Sequence, residues 1–337
     1  MDLDWKNLSF GYIKTDYNIR SYFRDGAWTT PELTTDETVT MHMAATCLHY
    51  GQEAFEGQKA FCGADGVIRI FRPEENAKRM RSSAEYLKMA LPPVDMFVDM
   101  MKRVVKANER FVPPYGTGAS LYIRPVLFGT GPQVGVKPAG EYLLIVFVTP
   151  VGPYYKEGFN PIKVLIDRDH DRAAPLGTGH VKAGGNYAAS LTSAEIGHEK
   201  GYPSVLYLDA KEKKHIDECG AANFFGIRDG VYITPKSHSV LPSITNMSLM
   251  TLAADLGLKV ESRPVEAEEL STFSEAGACG TAAVISPIGS IYDPETNHTY
   301  TYNNGEPGEW SKKLYHKLRA IQYGEEPDTH GWNLVLE

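Results

Sequence analysis

The sequence is poor in cysteine, and this scarcity bears on its compartment. Its 337 residues include only four cysteines, and no two of them form a Cys-x-x-Cys pair. The four are Cys47, Cys62, Cys219 and Cys279. This usage fits a reducing cytoplasm better than a disulfide framework or a structural zinc site. We therefore expect a cytoplasmic protein with no metal centre.

Long apolar runs and blocks of like charge are also missing. The apolar run at residues 143–148 is far shorter than the ~20 residues that a membrane-spanning helix needs. The N-terminal segment MDLDWKNLSF is acidic and has no apolar core, so no secretory signal is expected. Lys and Arg number 34 against 42 Asp and Glu, without a basic arm. We expect neither a membrane nor a nucleic-acid partner, and an enzyme rather than a scaffold.

The length and the order of elements predict two domains. A Pro-, Gly- and Tyr-rich segment breaks the periodicity after residue 150. The predicted organisation is a small N-terminal domain at residues 1–150, a linker at 151–160 and a C-terminal domain at 161–337. Strands and helices are mixed and hairpins are prominent, which predicts an α+β fold rather than a doubly wound sheet.

Local sequence patterns predict a hairpin in the N-terminal half and a helix in the C-terminal half. The segments 58–62 and 67–71 flank an Asp-Gly turn and predict a hairpin, after which Pro73 opens a helix. Small residues at 187–198 predict a single helix after a glycine-rich loop at 177–185.

Lys182 is the first candidate for chemistry, because it stands among small residues in Val-Lys-Ala-Gly-Gly-Asn-Tyr. Glycines let the backbone approach a planar cofactor, and partial desolvation lowers the pKa of a lysine toward that of a nucleophilic amine. Taken alone, a surface lysine in a turn is the more common outcome.

Glu218 is the second candidate, since it enters a run of small and apolar residues. A buried carboxylate needs a partner, and a protonated ring nitrogen of a cofactor would be one. Taken alone, the residue could equally be a solvated glutamate on an edge strand.

Phosphate recognition and a substrate pocket have weaker signals. Hydroxyls and amides near helix starts, together with Arg79, could bind a phosphate. The glycine string at 177–179 lacks the endings of the P-loop and of the dinucleotide loop, so it gives little support to a nucleotide-binding regulatory protein. Aromatic residues near Arg124 could line an apolar pocket open to an anion, or could simply be core residues.

Together these segments resemble the branched-chain amino acid aminotransferases, which belong to the fold-type-IV family of pyridoxal-phosphate enzymes. The resemblance lies in residues 48–52, 55–60, 71–73, 120–126, 182–187, 280–282 and 321–324. It implies a two-domain α+β architecture with a smaller N-terminal α/β domain, and a larger β-rich C-terminal domain carrying the cofactor lysine, with the cofactor between them.

The resemblance also implies which residues bind pyridoxal 5′-phosphate. Lys182 corresponds to the lysine that binds the cofactor covalently and then moves the substrate proton. Tyr187 corresponds to a hydrogen-bond donor to the 3′-oxygen of the ring, and Glu218 to the partner of the ring nitrogen. The phosphate positions are Arg79, Ile244, Thr245 and Thr281, the middle two through backbone N–H groups.

Substrate positions follow in the same way. The backbone amides of Ala221 and Ala282 would meet the α-carboxylate, helped by Tyr122, and Arg124 would receive the γ-carboxylate of glutamate. The side-chain pocket positions are Tyr50, Phe55 and Tyr154, with Phe10 and Val136 beside them.

The implied reaction moves the amino group of L-leucine, L-isoleucine or L-valine to 2-oxoglutarate, reversibly and by a ping-pong mechanism. The implied assembly is a homodimer in which Tyr50 reaches the partner's site. Some relatives carry a Cys-x-x-Cys thiol switch where this sequence has Ala283 and Ser286, so we expect no such switch. A D-amino acid aminotransferase and an aminodeoxychorismate lyase of the same fold are the nearest alternatives.

Overall fold

The computed structural model describes residues 3–152 and 159–337, which form eighteen strands and seven α-helices. The strands are β1 (Asn18–Arg24), β2 (Ala27–Trp28), β3 (Glu32–Thr34), β4 (Glu53–Phe55), β5 (Gln58–Cys62), β6 (Ile68–Phe71), β7 (Ser120–Gly129), β8 (Tyr142–Val151), β9 (Ile162–Asp167), β10 (Ser204–Leu208), β11 (Ile216–Cys219), β12 (Ala222–Arg228), β13 (Val231–Pro235), β14 (Lys259–Arg263), β15 (Glu275–Gly280), β16 (Val284–Asp293), β17 (His298–Thr301) and β18 (Asn333–Leu336). The helices are α1 (Thr46–Tyr50), α2 (Pro73–Tyr86), α3 (Val94–Ala107), α4 (Gly184–Ala189), α5 (Leu191–Glu199), α6 (Ile244–Asp255) and α7 (Glu309–Tyr323). Short 3₁₀ helices lie at Glu109–Phe111, Ala267–Thr272 and Asn303–Gly305.

The first sheet has nine strands, all antiparallel to their neighbours. Its order is β18-β6-β5-β7-β8-β1-β2, with β3 paired to β1 and β4 paired to β7. The helices α2 and α3 are amphipathic, and their apolar residues form one hydrophobic core together with those of this sheet. Met80 and Met100 are completely buried there, and Asn76 in the first turn of α2 donates to the Gly57 carbonyl between β4 and β5.

The predicted hairpin is confirmed. Strand β5 pairs with β6 from Cys62 opposite Ile68 to Ala60 opposite Ile70. Gly66 has a positive φ of 74° in the turn, which glycine adopts without steric cost. Pro73 is the first residue of α2, as the sequence predicts.

The second sheet also has nine strands, in the order β11-β10-β9-β16-β15-β12-β13-β14, with β17 paired to β16. A further pairing of β11 with β12 closes β9, β10, β11, β12, β15 and β16 into a ring. Apolar residues of these strands, among them Phe224 and Ile288, form a second core. The largely antiparallel sheets and separate helices confirm the α+β class.

Contacts between Cα atoms divide the described chain into two units. The first unit contains residues 3–152, Val181–Gly184 and Ala320–Glu337, and the second contains residues 159–180 and Gly185–Arg319. The sequence-based bounds differ at two places, because they assign Val181–Gly184 and Ala320–Glu337 to the C-terminal domain. A backbone hydrogen bond from the Phe55 amide to the Lys182 carbonyl attaches the first of these segments to the first unit, and β18 joins the first sheet through β6.

The helix predicted at 187–198 is divided, which corrects that prediction. Helix α4 ends at Ala189 and α5 begins at Leu191. Both the amide and the hydroxyl of Ser190 donate to the Tyr187 carbonyl, at 3.2 and 2.8 Å. This local serine bond competes with the regular helical pattern at the junction.

Within residues 3–152 and 159–337, no helix is both long enough and apolar enough to cross a bilayer.

Candidate active site

The backbone amide and the backbone carbonyl of Lys182 both form hydrogen bonds to residues of the first unit. Its carbonyl accepts from the Phe55 amide at 3.1 Å, and its amide donates to Ser83 Oγ at 3.0 Å. The Nζ atom lies 4.7 Å from the centre of the Phe55 ring. Strand β4 and helix α2 therefore fix the position of the amine.

The surroundings of Lys182 favour a reactive amine. Burial lowers the pKa of Lys182 to about 8, assisted by the positive charges of Arg79 and Arg124 and opposed by Glu56 and Tyr122. A pKa near 8 leaves roughly a tenth of the amine neutral at pH 7, compared with well under a thousandth for an unperturbed lysine. The neutral form is the nucleophile.

Glu56 and Arg79 form a buried ion pair that sequence reasoning missed. Arg79 donates from Nε to Glu56 Oε1 at 2.7 Å and from Nη2 to Oε2 at 2.8 Å. Asn76 Nδ2 adds a bond to Oε2 at 2.7 Å, and Glu56 is completely buried. Burial alone would raise the pKa of Glu56, but Arg79, Lys182 and Asn76 outweigh it and lower that pKa. The pair holds the Arg79 guanidinium in one orientation near Lys182.

Tyr122 and Arg124 lie on the same face of β7 as the Phe55 side chain on neighbouring β4. Arg124 Nη2 donates to the Tyr122 hydroxyl at 3.0 Å, and Arg124 Cζ lies 4.9 Å from the centre of the Phe55 ring. The buried Nε of Arg124 has no hydrogen-bond partner among the described residues. A Cβ on Gly57 would lie 2.0 Å from the Tyr122 hydroxyl oxygen, so only glycine permits this arrangement.

The remaining predicted pocket residues differ in how close they lie to Tyr122 and in how exposed they are. Phe10 packs edge-on against Tyr122, with ring centres 5.1 Å apart. Tyr50 is exposed at the end of α1 and its hydroxyl donates to the Val134 carbonyl, while Val136 is 89% exposed. Tyr154 lies outside the described residues.

Glu218 is buried on β11 of the second unit and has a partner that the sequence did not indicate. Its Oε2 lies 2.8 Å from Arg172 Nε, and the Leu241 amide donates to Oε1. Arg172 Nη1 also donates to the carbonyls of Gly179 and Ser239. The carboxylate is therefore held in place by a guanidinium that is itself fixed by backbone acceptors.

The glycine string at 177–179 has a packing role. A Cβ on Gly179 would lie 2.3 Å from the Ser239 carbonyl oxygen, and Thr178 exchanges two hydrogen bonds with the Asn186 side chain. These contacts account for the glycine without a nucleotide, so the structure gives no support to the nucleotide-binding alternative.

The other predicted residues of the second unit occupy helix starts and turns. Ser243 caps α6 by accepting from the Asn246 amide at 3.2 Å, which places Ile244 and Thr245 in the first helical turn. Amides of a first turn have no acceptor within the helix and attract anions. Tyr187 lies in α4, ahead of the junction with α5. Ala221 lies in the turn between β11 and β12, and Thr281 and Ala282 lie in the turn between β15 and β16.

The two buried cysteines are poor nucleophiles and cannot reach each other. All four cysteines are free, and burial raises the pKa of Cys219 to about 11 and that of Cys279 further above its ordinary value. The two lie on opposite sides of β12, Cys219 opposite Ala222 and Cys279 opposite Asn223. Two strand spacings amount to about 10 Å, beyond the ~7 Å that a disulfide spans between Cα atoms.

Thiol oxidants should therefore not switch the activity through a disulfide. Ala283 and Ser286 carry no sulfur, and Cys219 and Cys279 are too far apart. Activity is measured after peroxide treatment and again after a reductant, with mass mapping of the thiols. Inactivation that the reductant reverses, together with an intrachain disulfide, would contradict this expectation.

Comparison with known proteins identifies the family. The family model for class IV amino-transferases matches residues 53–291. The branched-chain-amino-acid aminotransferase of Haemophilus influenzae is 48% identical, over 100% of this chain and 99% of the relative. The chain belongs to the branched-chain amino acid aminotransferases. The family resemblance of the sequence motifs is thereby confirmed. The comparisons do not favour a D-amino acid aminotransferase or an aminodeoxychorismate lyase.

Solved structures agree with the assignment. The branched-chain amino acid aminotransferase of Escherichia coli has a TM-score of 0.81 at 28% identity, covering 95% of this chain and 99% of that one. The branched-chain amino acid aminotransferase of Thermobaculum terrenum, solved in its PLP form, has a TM-score of 0.80 at 23% identity and covers 96% and 99%, a likeness of fold. The fold-type-IV architecture of this aminotransferase is thereby confirmed.

Proposed function

We propose that this aminotransferase moves the amino group of L-leucine, L-isoleucine or L-valine to 2-oxoglutarate, reversibly, with pyridoxal 5′-phosphate as cofactor. The observation that carries the proposal is the Lys182 amine, which lies 4.7 Å from the centre of the Phe55 ring and whose pKa is lowered by burial and by the Arg79 charge. The relative that is 48% identical over the whole chain is named a branched-chain-amino-acid aminotransferase, which supports the proposal.

The donor groups fit this cofactor. A lysine of lowered pKa suits a carbonyl carbon, and a guanidinium suits a phosphate. The buried Glu218 carboxylate suits a protonated ring nitrogen, and the first turn of α6 offers amides to phosphate oxygens. The cofactor, when bound, supplies a ring that takes up the electron pair of the broken Cα–H bond.

The roles of the residues follow from their chemistry. Lys182 would bind the cofactor through Nζ and, once released, carry the proton from the substrate Cα. Glu218 would keep the ring nitrogen protonated, and Tyr187 would donate to the ring oxygen. The phosphate would be held by Arg79, Ile244, Thr245 and Thr281.

The substrate side chain needs an apolar wall and, for glutamate, a cation. We propose that Phe55 and Tyr122 form the wall and that Arg124 binds the γ-carboxylate, with the amides of Ala221 and Ala282 meeting the α-carboxylate. Tyr50 and Tyr154 complete the proposed set. The Arg124 Nε that lacks a hydrogen-bond partner among the described residues supports this role, because a buried donor without an acceptor carries a free-energy penalty that an incoming carboxylate relieves.

We propose that the enzyme is a homodimer, supported by an exposed apolar patch in the first unit. The patch consists of Met43, Leu48, Tyr50, Val134 and Val136. Exposed apolar clusters of this kind mark interaction sites.

Light scattering should therefore give the mass of two chains. Leu48→Glu should shift that mass toward one chain, because a charge opposes burial of the patch. The matched control Val335→Glu, on the partly exposed strand β18, should remain dimeric. A monomeric wild-type protein would contradict the proposal.

A cytoplasmic location is part of the same proposal. All four cysteines are free thiols, and free thiols persist in reducing compartments.

A panel of amino donors tests the function. With 2-oxoglutarate as acceptor, leucine, isoleucine and valine of L configuration should react, and their D enantiomers should not. Activity with D-amino acids, or release of pyruvate from aminodeoxychorismate, would move the enzyme to one of the two alternatives.

A further inference from the structure

Glu53 is a half-buried carboxylate for which the proposed mechanism has no role. It lies on β4 two residues before Phe55, so both side chains point to the same face of the sheet. The Gly184 amide donates to its carboxylate, and a Cβ on Gly184 would lie 1.7 Å from Glu53 Oε1. The carboxylate is thus fixed against the segment that carries Lys182.

Arg124, on β7, lies on the same face of the first sheet as Glu53 and Phe55. Strand β4 pairs with β7 so that Glu53 is opposite Phe128 and Phe55 is opposite Val126. Arg124 precedes Val126 by two residues and therefore shares that face. Its guanidinium lies over the Phe55 ring, 4.9 Å from the ring centre. On β4, Phe55 is the next residue after Glu53 whose side chain points to this face.

The Arg124 charge affects the ionisation of the Glu53 carboxylate. Burial raises the pKa of Glu53, while the Gly184 amide and the Arg124 charge act in the opposite direction without cancelling the effect. The Glu53 carboxylate is therefore incompletely compensated. A second carboxylate brought to Arg124 would share the same cation and repel Glu53.

Resting on the proposed function, we propose that Glu53 is a specificity-determining residue of this enzyme. Its negative charge offsets part of the Arg124 charge, and so weakens the binding of dicarboxylate substrates relative to branched-chain ones. An apolar side chain brings no charge into this field, so its binding does not depend on Glu53 in the same way.

A purely structural role for Glu53 is the competing explanation, because the residue also anchors Gly184. Glu53→Gln separates the two roles: the amide oxygen can still accept from the Gly184 amide, while the charge is removed. Glu53→Ala removes both the charge and the anchor. The readout is the ratio of kcat/KM for glutamate to kcat/KM for leucine, measured in single-turnover half-reactions, because a general structural defect cancels in that ratio.

Glu53→Gln should raise this ratio about fivefold, the size expected for removing one like charge at partial exposure. Glu53→Ala should raise the ratio to a similar extent, even if both half-reactions slow down. Glu141→Gln, which neutralises an exposed glutamate near Arg24, is the matched control and should leave the ratio unchanged. An unchanged or lowered ratio in both Glu53 variants would overturn the proposal.

The Arg124→Met background shows whether the effect passes through Arg124. There the Glu53→Gln gain should fall to a fraction of its size, since no cation remains to hold the γ-carboxylate beside Glu53. A gain of undiminished size would overturn the proposed route. If Arg124→Met alone lowers the leucine and glutamate half-reactions equally, the proposed role of Arg124 fails, and this outcome is distinct from a failure of Glu53.

Discussion

Arg124→Met should lower kcat/KM for the glutamate and 2-oxoglutarate half-reaction about a hundredfold, corresponding to about 2–3 kcal/mol for a contact with a charged group. The leucine half-reaction should change far less. Methionine is of comparable length and keeps an apolar surface against the Phe55 and Tyr122 rings, but it carries no charge.

The physical reason lies in the cost of an unpaired buried charge. The walls that suit leucine, Phe55 and Tyr122, would reject a γ-carboxylate without a cation nearby. Arg124 is already oriented by its hydrogen bond to the Tyr122 hydroxyl and by packing on Phe55. Its planar guanidinium can hold a carboxylate through two hydrogen bonds.

Single-turnover spectroscopy of each half-reaction separates the two effects. Arg103→Met replaces a partly exposed arginine on α3 and serves as the matched control. Equal losses for leucine and glutamate would mean that Arg124 maintains the pocket or binds the α-carboxylate, and the dual-substrate role would be wrong.

Loss of the Glu218 carboxylate should reduce kcat about a hundredfold to a thousandfold, the range found when one preorganised electrostatic contact is removed. Without the carboxylate, the ring nitrogen loses the group that keeps it protonated, and the electron pair of the substrate is less well accommodated. Substrate binding should change less than turnover, because the substrate contacts lie on other residues.

The Arg172 pair determines which variant is informative. Glu218→Ala leaves the Arg172 guanidinium buried without its carboxylate, and breaking a buried pair costs about 3–5 kcal/mol of folding stability. Glu218→Gln keeps one acceptor oxygen for the Arg172 or Leu241 donor and fills the same volume, so it is the variant of choice. Its thermal unfolding temperature should fall less than that of Glu218→Ala, while kcat falls as far. Near-normal turnover in a cofactor-loaded Glu218→Gln enzyme would exclude the assigned role.

Local sequence patterns predicted much of the fold. The Asp-Gly turn between β5 and β6 and the proline that opens α2 depend on neighbouring residues, so a single sequence reveals them. The division of the helix at Ser190 was missed because a side-chain hydrogen bond competes with an otherwise helical run of small residues. Strand β18 was not predicted, because it has only four residues and its partner β6 lies far away in the sequence.

The candidate site shows the same limit. The small residues around Lys182 and Glu218 made both of them candidates, and the family resemblance supplied their proposed roles. Their charged neighbours were not, because Arg79 meets Glu56 across 23 residues of sequence, and Arg172 meets Glu218 from a separate loop. In Phe-Glu-Gly, the glutamate and glycine of the motif acquire a physical reason only from the structure: Glu56 orients Arg79, and Gly57 makes room for the Tyr122 hydroxyl.

Covalent binding of the cofactor by Lys182 can be tested by reduction and mass mapping. The enzyme loaded with pyridoxal 5′-phosphate is reduced with borohydride, digested, and its peptides are mapped by mass. A single adduct on Lys182 is the predicted result, since this amine combines burial, a pKa of about 8 and a guanidinium neighbour. An adduct on another lysine, such as the buried Lys59, or no stable adduct at all, would contradict the role of Lys182.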